Sequence, residues 1–430
     1  MNYFDFISVG IDVGADFSWI SILTPDHKPV VKPFKILHDN LDSLNKAVLT
    51  IKKTEESNSL KARIFLESTG IYHFPLFCYL VESGFEVFVL NPLITDSNKN
   101  SGIRKVKNDK SDSLRIAKTG YTHDLKVSLI PSDLVINLRS LSREYYNLSD
   151  AKTSYVNKLH KELRMVFPSY SKVFSNLTGK TSILLLKTYK TPTSILNAPK
   201  DEIVSLIATN SRKGVKYANE KYNKLIKAAE LSKYFGKHLE SVFDLVQLNI
   251  EFIEIYNSKI EDILTKIKNF TIKYEDENFI QQIHLLDSIK GVGFISAVTL
   301  MCEIGDFSAF SKPKQLYAYF GLDPAVKESG KFKGTKTSMS KRGSRLARRV
   351  LFTIALVSVR GSRSGTPNNP VLHSYYENKK QSKPKMVALG AIMHKISNII
   401  FAVLRDNTPF VMRTPEQHKM CHNTNLSLVA

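Results

Sequence analysis

Cysteine is scarce in this 430-residue chain: Cys78, Cys302 and Cys421 are all it has. An odd number at such wide spacing builds neither a disulfide framework nor a zinc site, and it fits a reducing compartment such as the cytoplasm. No unbroken run of 18 or more apolar residues occurs, so no membrane span is expected. The first residues, MNYFDFISVGIDVG, lack the basic stretch and long apolar core of a secretory signal. Acids are also in short supply: 40 Asp and Glu stand against 61 Lys and Arg, leaving a formal charge of +21. Such an excess attracts polyanions, of which nucleic acid is the commonest. Hydrophobic residues are not lacking. At 43% they exclude a disordered chain and provide for two or three packed domains.

Residues 1–125 alternate strand-like and helix-like patterns. FISVGIDV and WISILTP read as a strand and its hairpin partner, LDSLNKAVLTIKK as a helix, and ARIFLEST as a buried strand. YHFPLFCYLVESG reads as a helix closed by Gly84, FEVFVLNP as a further strand, and DSLRIAKTG as a helix ended by Gly120. This order predicts a mixed α/β domain. Residues 126–282 differ. Leu134, Leu138, Leu141, Tyr145, Leu148, Tyr155 and Leu159 recur at heptad spacing, broken only by Lys152. That is either a coiled-coil seam or the apolar stripe of a long core helix. Pro168, Pro192 and Pro199 punctuate a shorter mixed stretch, and a second long helical zone spans 215–273. A compact, mostly helical domain is expected over 283–411, followed by a loose tail over 412–430.

Two pairs of acids stand out. Asp12 lies in the apolar strand VGIDVG, and Glu67 closes the apolar run ARIFLE. A carboxylate in such a strand costs free energy unless it is paired or binds a cation. Asp109 and Asp112, three apart in KVKNDKSDSLRIAK, share one helix face within a lysine-rich segment. Alone, Asp12 reads as a strand-end turn residue, and Asp109 and Asp112 as a solvated first turn complementing the helix dipole. Together the four suit two Mg²⁺ ions roughly 3.5–4 Å apart, the arrangement used for phosphoryl transfer. Lys105, Lys107 and Lys110 then meet the phosphates of the polyanion. Asp16 and Asp96 are the reserve acids.

These stretches, GIDVG, IFLESTGIY and KNDKSDS, resemble the four-acid RuvC-like, RNase H-fold domain of DEDD transposases, the recombinases of bridge-RNA-guided insertion sequences. IKGVGFISAVTLMCEIGDFSAFSKPKQLYAYFGLDP and the following ESGKFKGTKTSMSKRGSRLARRVL resemble the second, C-terminal domain of the same family. The resemblance spans about residues 6–120 and 283–408. It implies an α/β RNase H-like domain, long coiled-coil helices and a small helical transposase domain. It also implies DNA (target and donor) and a noncoding bridge RNA as partners. Dimers would pair into a tetramer, uniting the acids of one subunit with the serine domain of another. By the same resemblance Ser329, in KESGKFKG, is the nucleophile that forms a covalent phosphoserine link to DNA. Ser338 and Ser340 are the alternatives.

The C-terminal motifs also carry chemistry of their own. Gly291 and Gly293, in GVG between two helical stretches, resemble a helix-hairpin-helix turn whose amides hold a phosphate. Nine Lys or Arg crowd residues 327–349 against Glu328 alone. Among them Lys331, Lys333, Lys341, Arg342, Arg345 and Arg349 are candidate backbone contacts. Tyr375 and Tyr376 beside His373 suggest a tyrosine recombinase, but that reading leaves the four acids unused. Two rivals remain: a Holliday-junction-type nuclease, which needs the acids but no serine, and a non-catalytic nucleic-acid scaffold.

Overall fold

The computed structural model describes residues 5–68, 70–90, 109–123, 125, 127–325, 338–361, 365–417 and 419–420, and the backbone of 328–329 and 332–333. Two compact units divide the chain, Met1–Pro131 and Ser132–Ala430.

The first unit is built on five strands: β1 (Phe6–Val13), β2 (Phe17–Leu23), β3 (Phe34–Leu37), β4 (Lys61–Glu67) and β5 (Glu86–Leu90). Their spatial order is β3-β2-β1-β4-β5. β1, β2 and β3 pair antiparallel, whereas β4 and β5 join β1 in parallel. The parallel pairs need crossovers, supplied by α1 (Leu41–Asn58) and α2 (His73–Glu82), and α3 (Asp109–Thr119) follows. This is the RNase H-like arrangement, and the strands and helices expected from the apolar patterns are all present. Strand alternation sorts the core into two layers. Ile7, Val9, Ile11, Ile64 and Leu66 pack with Ile51 of α1 and Leu76 of α2. Phe6 and Phe65 pack with Ile116 and Ala117 of α3 and with Tyr121.

The approach of α3 to β1 depends on small residues. A β-carbon on Gly10 would lie 2.2 Å from the Ala117 nitrogen and the Ser113 carbonyl oxygen. The Ser8 hydroxyl donates to the Ala117 carbonyl at 2.6 Å, and the Ser21 and Ser113 hydroxyls meet at 2.8 Å. Tyr121 closes this layer, its hydroxyl accepting from the Ser8 N–H at 3.0 Å.

The second unit begins with α4 (Asp133–Val166), a single helix of 34 residues. After a short 3₁₀ turn come α5 (Lys180–Thr188), α6 (Pro192–Asn197), α7 (Lys200–Ser211) and α8 (Gly214–Phe235). The helical zone expected as one piece over 215–273 is two, because the chain turns extended at Gly236 before α9 (Glu240–Lys273). A β-carbon at Gly236 would press on the Ser232 and Val166 carbonyl oxygens. α9 runs antiparallel along α4, with Tyr155 stacked on Phe252 at 4.5 Å. The heptad seam is therefore filled by a helix of the same chain.

Beyond it lie α10 (Asn278–Asp287), α11 (Phe294–Ile304), α12 (Pro313–Tyr319), the two-residue strands β6 (Glu328–Ser329) and β7 (Phe332–Lys333), α13 (Arg345–Val359), α14 (Pro370–Lys380) and α15 (Lys385–Asp406). Leu134 and Leu138 of α4 join Ile267 of α9 in the core of these C-terminal helices. Leu159 and Leu163 belong to a separate core with α5–α8 and the start of α9. α15 is long and apolar enough to cross a membrane. It is not an unbroken apolar run in the sequence, because His394 and Lys395 interrupt the series. Its Ile392, Ile396 and Ile400 are fully buried in the C-terminal core.

Candidate functional site

The acids sit where the strand period puts them. Asp12 is two residues beyond Gly10 on β1 and so shares the face that α3 covers. It is the one residue of β1 that is not fully buried. Glu67 ends β4 on that same face, in step with Phe65, and is half-buried. Because β1 and β4 are parallel, with Ile11 beside Leu66, the two carboxylates leave the same edge of the sheet.

α3 runs opposite to β1. Ala117 lies over Ser8 and Ser113 over Gly10 and Ser21, so the first turn, with Asp109 and Asp112, projects toward the Asp12 end. Lys110 marks the spot: its ammonium lies 4.7 Å from the ring centre of Trp19, the strand partner of Asp12. Asp112 is mostly buried and forms an ion pair with Arg115, yet its Oδ1 lacks a well-directed hydrogen bond. Asp109 and Lys110 are exposed.

The expected four-acid cluster is thus brought to one face and one edge but is not closed. Among the described residues no group of three or more His, Cys, Asp or Glu side chains stands close enough to hold one metal ion. Asp112 is held by its ion pair with Arg115. The donor set itself, all carboxylate oxygen, fits a hard divalent cation. Asp16 is exposed in the β1–β2 turn. Lys105, Lys107 and Asp96 lie outside the described residues.

In the second unit the serine motif occupies a two-stranded hairpin. Ser329 pairs with Phe332 and Glu328 with Lys333 across it. Lys331 and the side chains of Ser329 and Lys333 lie outside what is described. The hairpin is zipped below this point by backbone hydrogen bonds from Ala325 to Ser338 and from Ser340 to Asp323, both 2.7 Å. The alternative nucleophile Ser340 is engaged: its hydroxyl donates to the Asp323 carboxylate at 2.5 Å. Ser338 is exposed. Nothing in the sequence marked Asp323 as that partner, since 17 positions separate the two.

The basic run after the hairpin divides by partner. Lys341, Arg342 and Arg345 are exposed around the N-terminus of α13, where the helix dipole adds to their charge. Arg348 is structural, donating to the carbonyls of Phe320 at 3.1 Å and Gly343 at 2.6 Å. Arg349 forks onto Asp150 of α4 at 2.6 and 2.7 Å and lies 4.9 Å over the Tyr146 ring. That pairing holds the Asp150 carboxyl below its usual range. Gly291 has a φ of +102°, and Ser358 of α13 fills the place of its β-carbon. The turn is therefore a packing contact as well as a loop, and Gly293 caps α11. Tyr375 and Tyr376 stack against lysines of α14 and α15, and the His373 Nδ1–H donates to the Val359 carbonyl at 2.8 Å.

Comparison with known proteins adds a family context. The family model for IS110 DEDD transposases matches residues 9–168, and the model for transposases of the IS116/IS110/IS902 family matches residues 283–377. The "Insertion element IS116 uncharacterized 44.8 kDa protein" of Streptomyces clavuligerus is 22% identical over 415 residues, covering 96% of this chain and 98% of its own. The "Pilin gene-inverting protein" of Moraxella bovis is 32% identical over 133 residues, covering 31% of this chain and 39% of its own. Among solved structures, Thermus thermophilus RuvC in complex with a Holliday junction substrate aligns over 29% of this chain and 99% of that one, at 12% identity and a TM-score of 0.23.

Proposed function

Because the chain belongs to the IS110 family of DEDD transposases, we propose that it cuts and rejoins DNA strands to move an insertion sequence, using Mg²⁺-binding acids and a serine nucleophile. The observation that carries this reading is the delivery of Asp12, Glu67, Asp109 and Asp112 to one face and one edge of the first sheet. These four would hold the divalent cation that the DEDD family implies. When bound, Mg²⁺ supplies positive charge opposite the oxygen on which negative charge grows during phosphoryl transfer. Lys110, exposed beside Trp19, suits a phosphate neighbour.

In the second unit, the Ser329 hydroxyl attacks phosphorus, and the proton it loses ends on the strand oxygen that departs. The Oγ–P bond forms while one P–O bond of the strand breaks, releasing a strand end that carries a hydroxyl. Attack by a strand hydroxyl on the phosphoserine reverses the exchange and rejoins DNA without an outside energy source. Lys341, Arg342 and Arg345, exposed around the N-terminus of α13, would hold the backbone. Target and donor DNA, a noncoding bridge RNA and a tetramer of paired dimers complete the proposal; the resemblance in the motifs supports them.

The test is a denaturing gel of protein with labelled element-end DNA, its RNA and Mg²⁺. Asp12→Ala and Asp109→Ala should abolish cleavage. Ser329→Ala should bind DNA but form no covalent adduct. If Ser329→Ala and Ser340→Ala both still cut, the acids hydrolyse DNA as a nuclease does, and the serine step is wrong.

A further inference from the structure

Residues 169–282 lie outside both family matches, and much of this stretch builds a module with its own core. Tyr170, Leu185, Ile203, Leu225 and Val246 are among its buried residues. The module is strongly basic: residues 169–239 carry thirteen Lys or Arg against four acids. On α8 the charge is ordered. The inward face holds Ala218, Leu225, Ala228 and Ala229. On the outward face, positions three or four apart bring Lys213, Lys216, Lys224 and Lys227 into one stripe, with Glu220 and Glu230 the acids among them. None of these four ammonium groups is ion-paired among the described residues. The stripe ends in two adjacent aromatics that face water, Tyr234 at 90% and Phe235 at 76% exposure.

Cations also converge where the stripe begins. The ammonium of Lys213 lies 4.7 Å and that of Lys221 5.4 Å from the Tyr217 ring centre. Lys221 donates to the Val173 carbonyl, and burial, then Lys224 and Lys213, push its pKa down. Lys213, Lys221 and Lys224 gathered about one carboxylate, Glu220, keep a net positive charge that invites an anion. Protein interfaces select against lysine, whereas single-stranded nucleic acid is bound by lysines on phosphates and aromatic rings under bases.

We propose that the outer face of α8 is a binding surface for an unpaired nucleic-acid strand, with Lys213, Lys216, Lys224 and Lys227 on phosphates and Tyr234 and Phe235 stacked on bases. The face is about 33 Å long at 1.5 Å per residue, enough for several nucleotides. The proposal does not depend on the acid–serine chemistry.

Fluorescence anisotropy on the full chain tests it, with labelled single-stranded RNA, single-stranded DNA and duplex DNA, each about 20 units long. Tyr234→Ala/Phe235→Ala should weaken single-strand binding roughly tenfold or more and leave the duplex unchanged. Lys224→Gln/Lys227→Gln should lower the slope of log affinity against log salt by about 1.4 for a single strand. Lys266→Gln/Lys268→Gln, exposed on α9, removes the same charge and should do neither. The RNA and DNA arms identify the strand. Binding of both single strands at the control's level in every variant would overturn the proposal. So would a drop in particle mass, by light scattering, with strand binding intact, because the face would then be a protein interface.

Discussion

A β-carbon at position 10 would press into the backbone of α3 at Ala117 and Ser113, so Gly10→Ala has no cheap relief. It should cost about 2–3 kcal/mol, the upper range for overpacking, and lower the unfolding midpoint in urea. Tyr121 is the complementary case. Burial raises its phenol pKa to about 12, so folding favours the neutral form. That contribution is fully present below about pH 10 and is lost as pH climbs toward 12. Tyr121→Phe should cost about 1–2 kcal/mol near neutrality, because it strands the Ser8 N–H. It should also flatten the alkaline loss of stability, which a urea series at pH 8, 10 and 11 would reveal, the range set by the tyrosine pKa. At this scale the acids were legible, since a carboxylate in an apolar strand needs a reason. Arg115, three positions after Asp112 on the same helix, was legible as well; Asp323 beside Ser340 was not, because it depends on a chain reversal that spacing does not encode.

Between elements, two arginines tie α4 to the C-terminal helices with unequal force. Arg143 donates twice to the Glu303 carboxylate, at 3.0 and 2.9 Å, and that carboxylate is only 5% exposed. Arg349 and Asp150 are both largely exposed. Arg143→Ala leaves a buried charge unpaired and should cost about 1–3 kcal/mol, below the range for a fully buried pair because the arginine itself is half in water. Arg349→Ala should cost under about 1 kcal/mol. A double-mutant cycle with Asp150→Ala measures that coupling by chemical denaturation. Most elements could be read from period and punctuation: Pro192 opens α6, and Gly84 follows α2 with φ of +91°. The break before α9 could have been read too, because Gly236 stands in it.

At the scale of the molecule, the charge pointed to a polyanion, while the heptad seam left its partner open. The same 3-4 spacing serves a helix from another subunit or one from the same chain, and here α9 occupies it. Leu141→Asp/Leu148→Asp should therefore destabilise the chain itself, lowering its thermal midpoint, since both leucines are half-buried against neighbours. A change in particle mass with an unchanged midpoint would mean that these leucines serve assembly instead. The module after α4 was the least legible part, because its basic helices carry no motif of residues at fixed spacing. Its meaning lies in which side of α8 the lysines take.

The α4–α9 pair joins two cores that share no described buried residue: Leu138 belongs to one and Leu159 to the other. The 21 positions between them span about 30 Å of helix, so the pair works as a stalk of set length. Its length can change only in steps that keep both stripes in phase. Cutting seven residues from each helix, matched across the pair, should bring the cores about 10 Å closer and leave both folded. Cutting five should rotate one core by over a third of a turn against the other and break the seam. In a protein that acts on DNA, such a stalk is a ruler, and evolution could reset it by whole heptads.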